Sequence, residues 1–579
     1  MFSDSAPALS PRASQELERR AEDAARELAV PAIAARLTLS RCPELELEEL
    51  RRWFAPKLAH LRPPIGMAGF EEALDLLVHA IERGVRVGVF GDYDADGVTS
   101  TSIVSTFLRV LGVDVVAVVA SRSGGYGFHL EAARELREAG CGLVITADCG
   151  TSDHESLAWL RGEGVKTIVI DHHQVPATDP PADAFINPWQ RGCAFEFKFL
   201  CSAGVAFYLC ASLRTRLRSL ADAQRSIPDP RSWLDLAAIG TICDMVPLVG
   251  ENRVLVHQGL RSANMRRRPA LHALLRRSRV GAADEVTENF VGFTVGPRLN
   301  APGRIGAADP ALQLLCANSA KEAAPILRAV EEINRARKGF QHAVVAEAGA
   351  VLDADRSLIE RNAIALSSSK WLHGVVGIAA SSLASRYNRP AFVMSEDAAT
   401  GEIRGSARTF GEVDVHRVLQ DVSSLLIRHG GHTAAAGFSL MKEQLEGFVS
   451  AVEEAVASQK EELVVEPVVH FDGEIGLRDV TPALLRDIRC AAPFGQGFSA
   501  PALLCEGARV RMRKVFAEQH LELVLEDGAV EHRAVVFGEG AAPINTGDRV
   551  GFLYEPEFDM YRGKDRMSLR ILRIWKCGS

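Results

Sequence analysis

Asp92, Asp94 and Asp96 stand at every second position in V-G-V-F-G-D-Y-D-A-D-G-V-T-S (Val87 to Ser100), directly after an apolar run. Asp148 follows a second apolar run, in V-I-T-A-D-C-G, and Asp171, His172 and His173 follow a third, in I-V-I-D-H-H. Farther on, Asp244 comes after the apolar stretch L-D-L-A-A-I-G-T-I-C. Carboxylates gathered together repel one another strongly at low dielectric, so a group of them implies cations. The donors are carboxylate oxygens with one or two imidazoles and no thiolate, a set that suits Mg2+ or Mn2+ better than a structural zinc. Two such ions about 3.5 to 4 Å apart, sharing a bridging carboxylate, are the usual apparatus for in-line displacement at phosphorus. Taken alone, the D-x-D-x-D run also fits a surface loop or a calcium loop. No glutamate closes it at the twelfth position, however, and the glycine and the helix come too early for a calcium loop.

The elements that would position these acids are legible as an alternation. Between about Phe70 and Asp171 the helical segments F-E-E-A-L-D-L-L-V-H-A-I-E-R-G, V-T-S-T-S-I-V-S-T-F-L-R-V-L-G, H-L-E-A-A-R-E-L-R-E-A-G and D-H-E-S-L-A-W-L-R-G-E-G are separated by apolar strands. That alternation predicts a parallel sheet covered by helices, with ligands bound beyond the carboxyl ends of the strands. Three of the four strands end in the acids named above, which puts those acids on one rim. A helical segment with a disordered tip is expected over residues 1–49, the sheet domain over 50–260, a helical connector over 261–349 and a second α/β unit over 350–460. From about 466 to 579 short alternating segments with glycine turns predict a small all-β barrel.

Composition bounds the function classes. With 579 residues, 47% hydrophobic and 24% charged, the chain reads as several folded domains rather than a disordered or fibrous protein. It has no apolar run near the ~18 residues of a membrane span, and M-F-S-D-S-A-P-A-L-S-P-R lacks a basic-then-apolar signal, so a cytoplasmic location is expected. Its 11 cysteines include no C-x-x-C pair, against a disulfide framework or a thiolate zinc site. A net charge of −8 gives no overall attraction for a polyanion, so nucleic-acid binding would rest on local patches. Arg261 to Arg279, with seven arginines and no acid, reads either as such a patch or as a solvated helical face. Arg509, Arg511 and Arg513 alternate, as residues on one strand face do; that face would track a phosphate backbone, with Phe516 or Tyr561 for stacking, or would simply be solvated.

The set G-D-Y-D-A-D-G, T-A-D-C-G, I-D-H-H and G-T-I-C-D-M-V-P-L, in that order, resembles the DHH phosphoesterase superfamily, and within it the long single-strand-specific exonucleases, over nearly the whole chain from about residue 50. The resemblance implies an α/β multidomain protein: a parallel-sheet DHH domain, a second α/β DHHA1 substrate-binding domain and a C-terminal all-β OB-fold barrel. It makes Asp94, Asp96, Asp148, His172 and Asp244 ligands of two Mn2+ or Mg2+ ions, with Asp148 bridging. It sets His173 against the scissile phosphate, with Asp92 close to the ions and Asp171 behind the ligands. S-R-S-G-G-Y-G-F-H resembles the loop whose arginine, here Arg122, holds a 5′-terminal phosphate, with Tyr126 beside it. V-G-P-R-L-N-A-P-G-R-I-G places Arg298, Asn300 and Arg304 among the substrate contacts, and G-S-A-R and R-H-G-G-H add Ser406, Arg408, Gly430, Gly431 and His432. Phe90 departs from the pyrophosphatase branch, which has histidine there, and Leu372-His373 departs from the usual Trp-His-x-Gly.

The implied activity is 5′-to-3′ hydrolysis of single-stranded DNA to 5′ mononucleotides, in recombination and repair, by a monomer working with single-strand-binding protein and a DNA helicase. The metal site by itself leaves open a small-molecule phosphoesterase acting on pyrophosphate or a cyclic dinucleotide, a processive RNase, or a non-catalytic single-strand-binding scaffold. The first would not need the barrel, and the last would not need all the acids.

Overall fold

Three helices, Gln15–Leu28 (α1), Ala32–Leu39 (α2) and Leu47–Phe54 (α3), open the chain. The Ser14 hydroxyl caps α1 by accepting from Leu17 N, and Ala21, Ala24 and Ala25 form the buried stripe that packs it against its neighbours. Two short strands, Phe2–Ser3 (β1) and Leu9–Pro11 (β2), join sheets at the other end of the chain. The computed structural model describes residues 2–3, 6–121, 127–220, 226–278, 284–462, 468–516, 520–540, 542–558 and 567–577.

From Phe70–Arg83 (α4) the chain alternates as the sequence predicts: Val87–Gly91 (β3), Ala95–Val110 (α5), Val115–Val119 (β4), Leu130–Glu138 (α6), Leu143–Ala147 (β5), His154–Gly162 (α7), Lys166–Ile170 (β6) and Ala184–Ile186 (β7). All five strands are parallel, in the order β4-β3-β5-β6-β7. Every residue of β3 and β5 is buried, as strands covered by helices on both faces must be. The chain leaves β3 toward β4 and returns on the other side as β5, so the order reverses between β3 and β5 and a crevice opens at their carboxyl ends. The turn from β3 into α5 needs its glycines: a Cβ on Gly91 would lie 2.6 Å from Gly97 O, and one on Gly97 2.6 Å from Asp92 N.

Ser202–Leu220 (α8), Leu234–Cys243 (α9), Gly250–Asn264 (α10) and Pro269–Arg277 (α11) complete the helical cover. Apolar on nearly every side, α9 is buried accordingly. It crosses α5 so closely that a Cβ on Gly240 would lie 2.6 Å from both Asp96 Oδ1 and Thr99 Oγ1. Glu288–Phe290 (α12) then runs through a π-helical turn, Val291–Val295, into Gly296–Ile305 (α13), followed by Asp309–Cys316 (α14) and Ala320–Ala354 (α15).

Residues 331–467 form a compact unit of their own. Its sheet joins Ile364–Ser368 (β8), Ala391–Glu396 (β9), Glu402–Arg408 (β10), Arg428–His432 (β11) and Ala435–Met441 (β12) in the order β11-β12-β10-β9-β8, with only β8 and β9 parallel. Phe392, Phe438 and Phe448 pack in its core, the Phe392 ring edge-on to Phe448 and Phe438 tilted against it.

The C-terminal region belongs with residues 1–330 in the other unit. After the short strands Val469–Phe471 (β13) and Gly473–Glu474 (β14), Leu503–Phe516 (β15), His520–Asp527 (β16), Val530–Val536 (β17), Arg549–Phe558 (β18) and Met567–Lys576 (β19) close a five-stranded barrel through β15-β16-β17-β19-β18 and back to β15. Arg253 of α10 ties it to the sheet domain. Only 2% exposed, its guanidinium sits 4.0 Å over the Trp53 ring and donates to the carbonyls of Trp53, Ala491, Ala492 and Pro493. Among the described residues no helix is long and apolar enough to cross a membrane.

Candidate metal centre and substrate contacts

Asp94 is the N-cap of α5, its Oδ1 accepting from Asp96 N at 2.9 Å and Gly97 N at 3.0 Å. Asp96, one turn in, reaches the start of α8, where its two oxygens accept from Ser202 N at 2.7 Å and Ala203 N at 2.9 Å. Asp148 follows β5 with φ of 65°, a left-handed conformation that aspartate tolerates better than most residues, and its Oδ1 accepts from Ser202 Oγ at 3.2 Å. Asp171 follows β6 and accepts from His172 N at 2.7 Å and Thr151 N at 3.1 Å, with His173 Nδ1 2.7 Å away. Asp244 caps the carboxyl end of α9, so it reaches the rim from a helix rather than from a strand end.

The donor atoms converge in three overlapping sets, Asp92/Asp94/Asp148, Asp148/His172/His173 and Asp96/His172/Asp244, within each of which all ligand atoms lie within 4.8 Å of one another. His172 Nε2 is 3.1 Å from Asp148 Oδ1 and 3.5 Å from Asp244 Oδ2. Both His172 Nε2 and Asp244 Oδ2 are buried without a hydrogen-bond partner among the described residues. Buried polar atoms are rarely left so unless a ligand completes them.

The electrostatics agree. Burial and the Asp94 charge push Asp96 up to about 6, and burial with Asp96 and Asp94 pushes Asp244 up to about 9. Burial and four neighbouring carboxylates hold Asp148 well above the usual carboxylate range. Burial and His173 lower His172 to about 4, which leaves its ring neutral and able to lend a lone pair. Burial alone would lower His173 too, but the Asp171 hydrogen bond and charge outweigh it and raise the imidazole to about 9. Burial opposes ionisation of Asp171 as well, yet the His173 contact holds it well below the usual range. The rim is therefore an Asp171–His173 ion pair beside acids that cannot all ionise without added positive charge. Divalent cations with oxygen preference fit that donor set.

The expected substrate contacts fall in three groups. Arg122 and Tyr126 lie outside the described residues. Asn300 on α13 accepts from Ala95 N at 2.7 Å, so it braces the acidic turn, and a Cβ on Gly303 would lie 2.9 Å from Tyr93 Cβ. Arg298 donates to Thr294 O at 2.8 Å, and Arg304 is half-buried farther along α13, near the Ser121–Ala307 bridge. On the second unit's sheet, Ser406, Gly437 and Gly430 form one row across three strands, and Arg408, Ala435 and His432 form another two residues on. Arg408 donates to Ser406 Oγ at 2.7 Å. Gly431, with φ of 141°, has no room for a side chain: a Cβ would lie 2.5 Å from Ala435 O.

Three contributors escape the sequence reading. Ser202 serves both Asp96 and Asp148; its place in C-S-A-G, opening a helix, is the only signal. Thr151 supports Asp171. Asn187, just after β7 and fully buried, donates to His173 O at 2.9 Å and Thr151 Oγ1 at 3.2 Å. Phe90 is ordinary core, its ring 4.9 Å from Phe128. The barrel arginines differ from expectation: a bulge between Val510 and Met512 breaks the alternation. Arg509 and Arg511 pair with Glu526 and Glu531, while Arg513 turns to the carbonyls of Gly540 and Ala542.

A five-stranded parallel sheet with D-x-D, a lone aspartate and D-H-H around its switch point defines the DHH class of phosphoesterase domain. The model of the DHH family, N-terminal domain, matches residues 86–241, that of the DHHA1 domain residues 360–458, and that of the RecJ OB domain residues 471–573. The chain belongs to the RecJ family. It is 32% identical to the single-stranded-DNA-specific exonuclease RecJ of Salmonella typhimurium, over 97% of this chain and 99% of that one. The Haemophilus influenzae relative of the same name is also 32% identical, over 88% and 91%. The Bacillus subtilis one is longer: 32% identity covers 90% of this chain and 65% of that relative. Among solved structures, RecJ from Thermus thermophilus in complex with Mn2+ matches with a TM-score of 0.78 and 28% identity, covering 100% of this chain and 80% of that one. Its complex with Mg2+ matches with a TM-score of 0.72 and 27% identity, covering 100% and 79%.

Proposed function

We propose that this chain is a single-stranded-DNA-specific 5′-to-3′ exonuclease that hydrolyses phosphodiester bonds with two Mn2+ or Mg2+ ions and releases 5′ mononucleotides. The observation that carries this reading is the buried, convergent cluster of acids and histidines at the switch point of a RecJ-family chain. Asp94, Asp96, Asp148, His172 and Asp244 would hold the ions; Asp148 and His172 each belong to two of the three donor sets, and of the two only the Asp148 carboxylate has an oxygen to lend to each of two ions. Divalent ions there would supply Lewis acidity toward the phosphodiester and make the attacking water easier to deprotonate.

The chain's own residues do the rest. Amide N–H groups of Ser202 and Ala203 fix the direction of Asp96, and Asn300 fixes the turn that carries Asp94. Asp171 orients His173 through the 2.7 Å contact at Nδ1 and favours its charged form, so that His173 faces the phosphate oxygens. Asp92 stays beside the ions. Arg298, Arg304 and Arg408 grip backbone phosphates with guanidinium forks, aided by Ser406, Gly430, Gly431 and His432, and Arg122 and Tyr126 take the 5′ end. We take the domains as 50–260, 261–349, 350–460 and 466–579, after an N-terminal segment over 1–49. Family membership supports work in recombination and repair, in the cytoplasm, beside single-strand-binding protein and a DNA helicase. A monomer suffices, since one chain supplies every ligand.

Digestion of a single-stranded oligonucleotide labelled near its 3′ end tests the reading. The expected result is a metal-dependent ladder shortening from the 5′ end, absent for Asp148→Asn and for a blunt duplex, and weak for RNA. Intact DNA with hydrolysis of pyrophosphate or a cyclic dinucleotide would assign the site to a small-molecule phosphoesterase instead.

A further inference from the structure

The six described arginines between Arg261 and Arg277 take no part in the acid cluster. Three of them, Arg261, Arg267 and Arg268, line a cleft of about 700 Å3 on the first unit, a size suited to a small organic ligand. Its walls come from the carboxyl ends of α5, α10 and α14 and the amino ends of α9 and α11.

The charges in the cleft are of two kinds. At its floor Arg268 forks onto Asp235 at 2.7 and 2.8 Å, both side chains largely buried, and at its side Arg231 pairs with Asp229. Those two pairs are balanced. Arg261 and Arg267 are exposed, and neither has an ion pair or hydrogen bond among the described residues. Two uncompensated guanidinium groups therefore border a neutral floor. The remaining wall is apolar, with Val110 and Met265 61% and 57% exposed toward the cleft.

We propose that this cleft binds a nucleoside phosphate, at a site separate from the acid cluster. A phosphate suits two guanidinium forks, and a flat base suits Val110 and the adaptable Met265. Inorganic phosphate would leave the apolar wall bare, and a purely apolar ligand would leave both guanidinium groups unpaired. Gln258, Ser262 and Asn318 border the same space and offer hydrogen bonds to base or sugar edges. The cleft lies at the far ends of the two helices that carry acids of the metal centre. α5 runs from Ala95, next to Asp96, to Val110, a helix of about 24 Å, and α9 runs from Leu234 to the Asp244 cap.

The test is calorimetric titration of the full chain with 5′-dAMP in EDTA, so that divalent ions do not draw the nucleotide to the acid cluster. Wild type should bind at one saturable site, more tightly than it binds either deoxyadenosine or inorganic phosphate. Arg261→Ala/Arg267→Ala should weaken binding by about tenfold or more, and Asp148→Asn should leave it unchanged. Because the ligand chemistry is shared by free nucleotides and DNA, a short single strand is the second arm. Displacement of 5′-dAMP by it would identify the ligand as a phosphate within a strand, and no displacement would identify a free nucleotide. Absence of saturable binding, equal binding by the double variant, or loss of binding in Asp148→Asn would overturn the proposal. The first two outcomes leave the exonuclease reading intact, and failure of DNA digestion leaves this site intact.

Discussion

The rim of the parallel sheet and the outer face of the barrel both carry rows of charge, and they treat it in opposite ways. Asp96, Asp148 and Asp171 are at most 2% exposed, and the first two crowd other carboxylates while the nearby charged imidazole, His173, is already paired with Asp171. Arg509 and Arg511 are exposed, each beside a glutamate, Glu526 on the adjacent β16 and Glu531 on β17. Burying like charges without compensation is expensive, and a fold keeps such a cluster only where a ligand supplies the missing charge. An exposed pair costs almost nothing and so says little about a ligand. Burial together with missing compensation is what makes the rim a site; the presence of charge alone does not do so for the barrel.

The sharpest way to break that contrast is Asp148→Asn. Asparagine accepts the left-handed backbone at this position, so the fold should persist, while loss of the shared negative oxygen should lower turnover on single-stranded DNA by roughly 10³-fold or more. Circular dichroism with a turnover assay checks both halves, and an active variant would remove the rim from the mechanism. Next in size is Arg253→Ala, a buried cation that, unlike the barrel arginines, has four carbonyl acceptors depending on it. Urea unfolding should show a loss of about 3 kcal/mol.

The pH dependence of metal binding sharpens the comparison further. Without metal, Asp96 and Asp244 hold protons up to about 6 and about 9, and an entering ion must displace them. Apparent Mn2+ affinity should therefore rise with pH across that window, by up to about tenfold per unit for each proton released. His172, lowered to about 4, adds nothing there because it is already neutral. Titrations at several pH values check this, and a flat profile would mean that the acids are ionised before metal arrives. The smallest effect belongs to Arg511→Ala, which should change stability by less than about 0.5 kcal/mol in the same urea experiment.

Much of the rim is legible in the sequence because strands buried on both faces read as unbroken apolar runs, and an acid directly after such a run marks a strand's carboxyl end. The same rule misplaces nothing on β3, β5 or β6. It says little about Asp244, which arrives at the end of a buried helix whose apolar run looks like that of a strand. With three residues, β7 is too short to show any period, so Asn187 and its hold on His173 are invisible beforehand. The amide contacts from α8 to Asp96 join residues 106 and 107 positions apart, a tertiary fact no local pattern carries. In the barrel, a single bulged residue reverses the face of Arg513, because side chains along a strand alternate with period two.

The central claim is that the acid rim holds two divalent ions through a shared Asp148. Counting bound Mn2+ by electron paramagnetic resonance in wild type and Asp148→Asn tests it most directly. The account predicts two ions per wild-type chain and fewer in the variant, with the folded structure retained. An unchanged count in Asp148→Asn, or no Mn2+ bound by the wild type, would contradict it.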